Sequence, residues 1–360
     1  MSKNCTLSHQ KAYFRRVSKP LSMCRRYPVL LFFLFLSMNL KAQDPTTPQS
    51  LFQYFSGITD SIPLLVLDTD VRNLIKLKRK ENYQPTSFTF RGPDGEWISL
   101  MAKVRARGNM RKQVCYFPPL KINLKTKDLE KLQLDQLDKL KLVFQCWDNK
   151  RGYELIHREQ LLYRLHEIIG PVSYKTTLVR VQLGDKYEEP HYAFLIEEES
   201  EFKQRLNGPI VEKGHVRTSM IDREAYLRMC FFQYLILNTD WYMHNLHNLE
   251  FIMPEGKDKL LPVPYDFDYA GLVDASYAVP HSSRNIKDVK EPCYLCKSVT
   301  EEEALRMATF FQEKKSALYQ TVQDYPYLDE KVKSIFTDRL DTFFKELENE
   351  RSLKRVFVNE

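Results

Sequence analysis

Glycine is scarce in this sequence: there are 11 in 360 residues, and neither G-x-G-x-x-G nor G-x-x-x-x-G-K-S/T occurs. The two common glycine-rich phosphate loops are therefore excluded. H-E-x-x-H, G-x-S-x-G and any dense His/Asp cluster are also missing, which leaves little basis for a metal-dependent hydrolase built on Asp266, Asp268 and the nearby histidines. Beyond residue 42 no apolar run approaches the roughly 20 residues that cross a bilayer, so no membrane span is expected in the mature chain. Internal repeats and low-complexity tracts are absent too. An excess of basic charge is lacking where it would matter. Residues 1–42 hold eight Lys or Arg and no acid, which leaves 46 basic against 47 acidic residues in the remainder. A near-neutral body offers no electrostatic case for binding nucleic acid.

The basic start runs into "YPVLLFFLFLSMNL" and then "KAQD", the charged, apolar and small-residue order of a secretory leader. Cleavage is expected near Ala42 or Gln43, with Sec-type export to a periplasmic, cell-surface or secreted location. Export permits disulfides among Cys115, Cys146, Cys230, Cys293 and Cys296. Their odd number leaves at least one unpaired. Cys230 lies in an apolar helical run and reads as a buried thiol. Cys293 and Cys296 form half a zinc site with no second C-x-x-C.

With 43% apolar residues the chain can build a sizeable core. Residues 43–58 read as a polar linker. Residues 59–200 alternate strand-like runs and turns: "PTSFTF" and "ISLMAKVRA" as a hairpin, then "PPLKINL", "LKLVFQC", "TTLVRVQLG" and "HYAFLIEEE". One amphipathic helix, "IHREQLLYRLHEII", interrupts them. From residue 201 to 360 the chain turns helical, with a buried helix opened by a capping box of Ser219 and Asp222 and a charged helical tail.

Between those helices lies "NTDWYMHNLHNLEF", followed by "PVPYDFDYAG". Read as a hairpin with "PEGKDK" at its turn, this region brings Asn248 beside Asp266 at the open end. Strand alternation would set Asp268 on the same face, given a strand that continues. Two aligned carboxylates repel without a cation, and Mg2+ with its oxygen ligands meets that need. Asp240 ends the preceding helix, where a carboxylate can orient a hydroxyl nucleophile and take its proton. His244 and His247 read as loop packing and hydrogen bonding in preference to metal ligation. Asp, then Asn at a strand start, then Asp on the paired strand is the order of a kinase-like catalytic loop and metal motif. Such a site needs a lysine on an earlier strand and a glutamate on the next helix, and Lys121 and Glu159 are the candidates, with Lys139 and Lys141 as competitors. The turn "VRARGNMRK" can hold phosphates through Gly108, Asn109 and the guanidinium groups of Arg105, Arg107 and Arg111.

Together, "RARGNMR…PPLKINL", "FLIEE", "NTDW…HNLEF" and "PVPYDFDYAG" resemble the CotH family of atypical kinases, distantly similar to HipA-type kinases, over roughly residues 60 to 290. The resemblance implies an α+β, two-lobed protein-kinase-like fold. The β-rich N-lobe would carry one main helix and the nucleotide site, and the mainly helical C-lobe the catalytic loop and metal hairpin. It also implies ATP with Mg2+ (or Mn2+) and phosphorylation of the hydroxyl of an exported or cell-surface protein. By motif match, Arg107, Gly108 and Asn109 would form the phosphate loop and Lys121 would contact ATP. Glu197 would lie in the hinge near the adenine, Asp240 would be the catalytic aspartate, and Asn248 and Asp266 would hold the metal. Asn248 lies eight residues after Asp240, and the five-residue position usual in kinases holds Asn245; Asn248 is preferred because it directly precedes the strand. An alternative is a catalytically inactive exported module that keeps the scaffold to bind nucleotide, metal or a partner protein.

Overall fold

The computed structural model describes residues 48–359 apart from 185, 186, 188, 213 and 215. The expected leader, 1–42, lies outside the described residues.

Seven strands close into a barrel in the order β1-β2-β3-β4-β5-β7-β6. They are β1 (Leu64–Asp68), β2 (Gln84–Arg91), β3 (Trp97–Ala106), β4 (Leu120–Asn123), β5 (Lys139–Phe144), β6 (Thr176–Leu183) and β7 (His191–Ile196). Alternation explains which way each strand faces. Phe88 and Phe90 of β2 and Leu100, Ala102 and Val104 of β3 point inward, while Ser87, Thr89, Ser99 and Met101 point out. The β2–β3 hairpin pairs Gln84 with Val104 and Arg91 with Trp97, as its sequence suggested. The barrel closes where β1 pairs in parallel with β6, Leu64 opposite Arg180 and Leu67 opposite Leu183.

The expected linker is corrected over its second half. Residues Leu51–Ser56 form helix α1, started by a capping box between Ser50 and Gln53. Leu51, Phe52 and Phe55 of α1 are buried in the barrel's core, worth roughly 1.5–3 kcal/mol for each large side chain. Polar composition before residue 50 concealed this apolar face. Two short helices, α2 (Val71–Lys76) and α4 (Thr126–Lys131), flank the barrel, and α3 (Met110–Val114) follows the basic turn.

A second hydrophobic core holds the helical half: α7 (Arg223–Leu235), the hairpin β8 (Leu249–Ile252) with β9 (Leu261–Pro264), α8 (Glu301–Gln323), α9 (Glu330–Glu348) and α10 (Glu350–Phe357). Helix α5 (Lys150–Ile169), capped by Asn149, belongs to this core through Leu155, Leu161, Leu162 and Leu165 although it precedes β6 in sequence. Helix α6 (Glu199–Leu206) follows the barrel. Asp222, not Ser219, caps α7: its carboxylate accepts from the Ala225 N–H, and Ser219 sits in a 3-10 turn at Thr218–Met220.

Disulfides join Cys115 to Cys146 and Cys230 to Cys296, and Cys293 is free. The buried-thiol reading of Cys230 is thus corrected: α7 brings it against the segment before α8. Among the described residues no helix is long and apolar enough to cross a membrane.

Candidate active site

The β8–β9 pairing sets Leu249 opposite Pro264, and the Tyr265 N–H donates to the Asn248 carbonyl at 3.2 Å. Asn248 and Asp266 therefore stand side by side at the open end of the hairpin. Both have left-handed backbone, with φ of 51° and 60°, a conformation that costs free energy in non-glycine residues and clusters at functional positions. The Asp266 N–H is held by Tyr163 Oη of α5 at 2.9 Å. The strand stops at Pro264, so Asp268 does not reach the site by strand alternation. A 3-10 turn, Phe267–Tyr269, delivers it instead.

Asp240, Asn248, Asp266 and Asp268 line one cavity of about 400 Å3 together with Arg107, Gly108 and Asn109. Gly108 has φ of 84°, so the turn over the cavity requires a residue without a Cβ. Asn245 is exposed and does not line the cavity; its side chain accepts from the His247 N–H. A larger cavity of about 550 Å3 touches α5 at Gln160 and Arg164 but contains none of the candidate residues.

The Asp240 carboxylate is held on both oxygens. His247 Nε2 lies 3.2 Å from Oδ1, and Asn248 Nδ2 donates to Oδ2 at 3.0 Å and to the Asp240 carbonyl at 2.9 Å. Burial pushes its pKa up, partly countered by His247, which suits a group that must take up a proton. The sequence assigns His247 to loop packing and hydrogen bonding, and the structure supplies its partner. Its contact with Asp240 arises from the turn that pairs Tyr242 with His247.

The expected ion pair between Lys121 and Glu159 is not formed. Lys121 Nζ lies 2.8 Å from Glu198 Oε1, and neither Lys121 nor Glu159 lines the cavity. Burial pushes Glu198 up, but the Lys121 hydrogen bond and the Lys141 charge outweigh it and hold this carboxyl at about 2. Glu159 instead pairs with Arg111 of α3. Arg111 Nε also reaches Asp268 Oδ2 at 3.1 Å and Tyr277 Oη at 2.8 Å, and Tyr277 donates to the same carboxylate at 2.9 Å. Lys121 lies in β4 opposite Arg105 and Lys141, where Glu198, the N-cap of α6, is in reach. Glu197 is likewise turned away from the cavity: it is buried, bound by Arg205 at 2.7 and 2.9 Å and by the Lys175 N–H.

Arg111 is the cavity residue that sequence reasoning underrated. Its signal was present in "RARGNMR", but only as the far flank of a turn. One guanidinium faces the Glu159 and Asp268 carboxylates, with Asp266 close enough to perturb both. Burial raises Glu159 to about 8 and Asp268 to about 6, against the pull of Arg111 and with repulsion from Asp266 added. The cavity wall itself carries three carboxylates, Asp240, Asp266 and Asp268, against the two guanidinium groups of Arg107 and Arg111. Arg111 Nη1 is buried without a partner, a donor that needs an acceptor. Asn248, Asp266 and Asp268 can offer oxygens to a hard cation. Among the described residues no group of three His, Cys, Asp or Glu is placed to hold a metal ion.

No family model matches the chain, and no curated protein matches it. Among solved structures, a Helicobacter pylori proinflammatory kinase, CtkA, is similar at 10% sequence identity and a TM-score of 0.39, covering 65% of this chain and 94% of that one.

Proposed function

We propose that the chain transfers the γ-phosphoryl group of ATP, bound with Mg2+ or Mn2+, to a protein hydroxyl, in a two-lobed kinase-like arrangement. One observation carries the reading: Asp240, Asn248, Asp266 and Asp268 meet in a single cavity roofed by Arg107, Gly108 and Asn109. Phosphoryl transfer asks a protein chiefly to position its substrates and to stabilise charge. Asp240 is fixed on both oxygens to orient the acceptor hydroxyl and receive its proton. Asn248, Asp266 and Asp268 supply oxygens for the divalent ion, which when bound offsets phosphate charge. Excess carboxylate charge fits a cation, and the unpaired Arg111 Nη1 fits a phosphate oxygen. Arg111 rather than Lys121 takes the phosphate-facing role in this reading, because Lys121 is engaged by Glu198.

The inactive binding module is kept as a second reading because of that same Lys121 engagement. The leader-like start and two disulfides support an exported protein and an exported or cell-surface substrate. The test is labelled ATP with Mg2+ or Mn2+ on the purified protein beside Asp240→Ala. Label transfer lost in the variant supports the kinase. Nucleotide-dependent stabilisation of both proteins with no transfer by either supports the binding module.

A further inference from the structure

The cavity of about 550 Å3 holds none of the residues assigned to phosphoryl transfer. It opens where the barrel meets the helical half, lined by the segment between α1 and β1, by α5 and the start of β6, and by the turn from α8 to α9. Two polar side chains of this lining are almost fully buried, Gln160 at 2% and Thr176 at 7% exposure. Gln160 Nε2 donates to Thr176 Oγ1 at 3.2 Å, and Gln160 Oε1 has no partner. Buried amide atoms are ordinarily satisfied. Turning the amide over would let Thr176 donate to the oxygen and would strand the nitrogen instead, so one amide atom stays unmet in either orientation. A hydroxyl, donor and acceptor at once, answers both.

The remaining polar groups suit further hydroxyls better than charge. Among the described residues the Thr177 hydroxyl has no partner, Arg164 forms no ion pair and Asp60 has no donor, while Asp324 accepts from Gln320 at 2.7 Å. One guanidinium against two carboxylates gives an anion no net attraction. An apolar ligand would leave Gln160 stranded. Planar carboxylate and guanidinium groups can each engage two neighbouring hydroxyls. Tyr327 adds ring surface against which a carbon face can lie. Its ring stacks on His157 at 5.1 Å, and Tyr325 Oη is 3.1 Å from His157 Nδ1, so this wall is set before a ligand arrives.

We propose that this cavity binds a neutral saccharide, free or as the end unit of a glycan. Gln160 and Thr177 meet its hydroxyls, Arg164 and Asp60 engage neighbouring hydroxyls from the exposed rim, and Tyr327 lies against its carbon face. The site stands whether or not the chain transfers phosphate.

The test is calorimetric titration of the purified full chain with glucose, galactose, mannose, N-acetylglucosamine and maltose, with their methyl glycosides, and with alanine, glutamate and inorganic phosphate, all at millimolar concentration. At least one neutral sugar is expected to bind saturably, and to bind about tenfold or more weakly to Gln160→Leu and to Thr177→Val. Melting temperatures check the folding of both variants; Thr177, whose hydroxyl bonds nothing in the protein, serves where Gln160→Leu fails to fold. A methyl glycoside that binds as well as its parent sugar supports the site as one for a glycan end, and one that does not supports a free sugar. Binding of no sugar, which leaves the cavity to water, overturns the proposal. So does sugar binding unchanged in every variant that folds, or binding of alanine, glutamate or phosphate in place of the sugars.

Discussion

Replacing Arg111 with methionine tests whether one guanidinium holds the two halves of the site together. Arg111 belongs to α3, Glu159 to α5 and Asp268 to the turn after β9, and all three side chains are nearly excluded from water. A unit charge pair at the 3.1 Å separation of Arg111 and Asp268 is worth about 5 kcal/mol at an effective dielectric constant near 20. Desolvation of the guanidinium offsets part of that. Removing one partner of a buried pair costs about 3–5 kcal/mol, because the stranded carboxylates must protonate or stay unpaired. Met restores much of the volume, so the loss is electrostatic. Urea unfolding followed by tryptophan fluorescence at pH 7.5 is expected to show Arg111→Met less stable by about 3–5 kcal/mol, with an unchanged m-value. Adding Glu159→Gln and Asp268→Asn removes the stranded charges and is expected to return stability to within about 1 kcal/mol of the parent. A loss below about 1 kcal/mol in the single variant, or a triple variant as unstable as the single, refutes the reasoning.

Arg107→Ala is expected to weaken ATP binding by about tenfold or more, since a charge-assisted contact contributes about 1.5–3 kcal/mol, while Lys121→Met changes it less than about threefold; calorimetric titration separates them. Burial raises Glu201 to about 7, so its folded pKa exceeds its unfolded one and stability falls as pH rises from about 4.5 to 7. Glu201→Gln is expected to remove up to about 3 kcal/mol of the stability difference between pH 5 and pH 8 in urea titrations. Buried His157 and His166, held at about 3 by desolvation, act in the opposite sense. Each costs up to about 1.4 kcal/mol of stability per pH unit below 6.5, a slope that His166→Asn should reduce. The Cys115–Cys146 bridge spans 31 residues and Cys230–Cys296 spans 66. Loss of either is expected to cost up to about 4 kcal/mol through the freed unfolded chain, read as a lower urea midpoint for the paired Cys→Ala variants.

Much of the site was legible because hairpins are local. Register alone put Asn248 next to Asp266, and the basic turn around Gly108 was visible as a glycine amid arginines. Contacts between separate elements were not legible in the same way. Lys121 and Glu159 each had the right residue type on the right kind of element, but partner choice depends on where strand ends and helix faces meet. There the N-cap of α6 presents Glu198 to Lys121, and α3 presents Arg111 to Glu159. The same distinction holds for the fold. Alternation identified the hairpin of β2 and β3, whereas closure through β1 and β6 depends on pairing between distant segments. Helix α1 was hidden because its six residues are too few to show a helical period and follow directly on a polar, Pro-bearing stretch.

That closure orders the assembly of the chain in time. Leu64–Leu67 find their parallel partners only at Arg180–Leu183, more than a hundred residues further along. A polypeptide delivered amino end first can pair β1 with β2 early, but holds the other edge of β1 unmatched until β6 has emerged. Once shut, the barrel presents no unpaired rim to a foreign strand, so anything that docks on this half must grip side chains and loops and cannot extend the sheet.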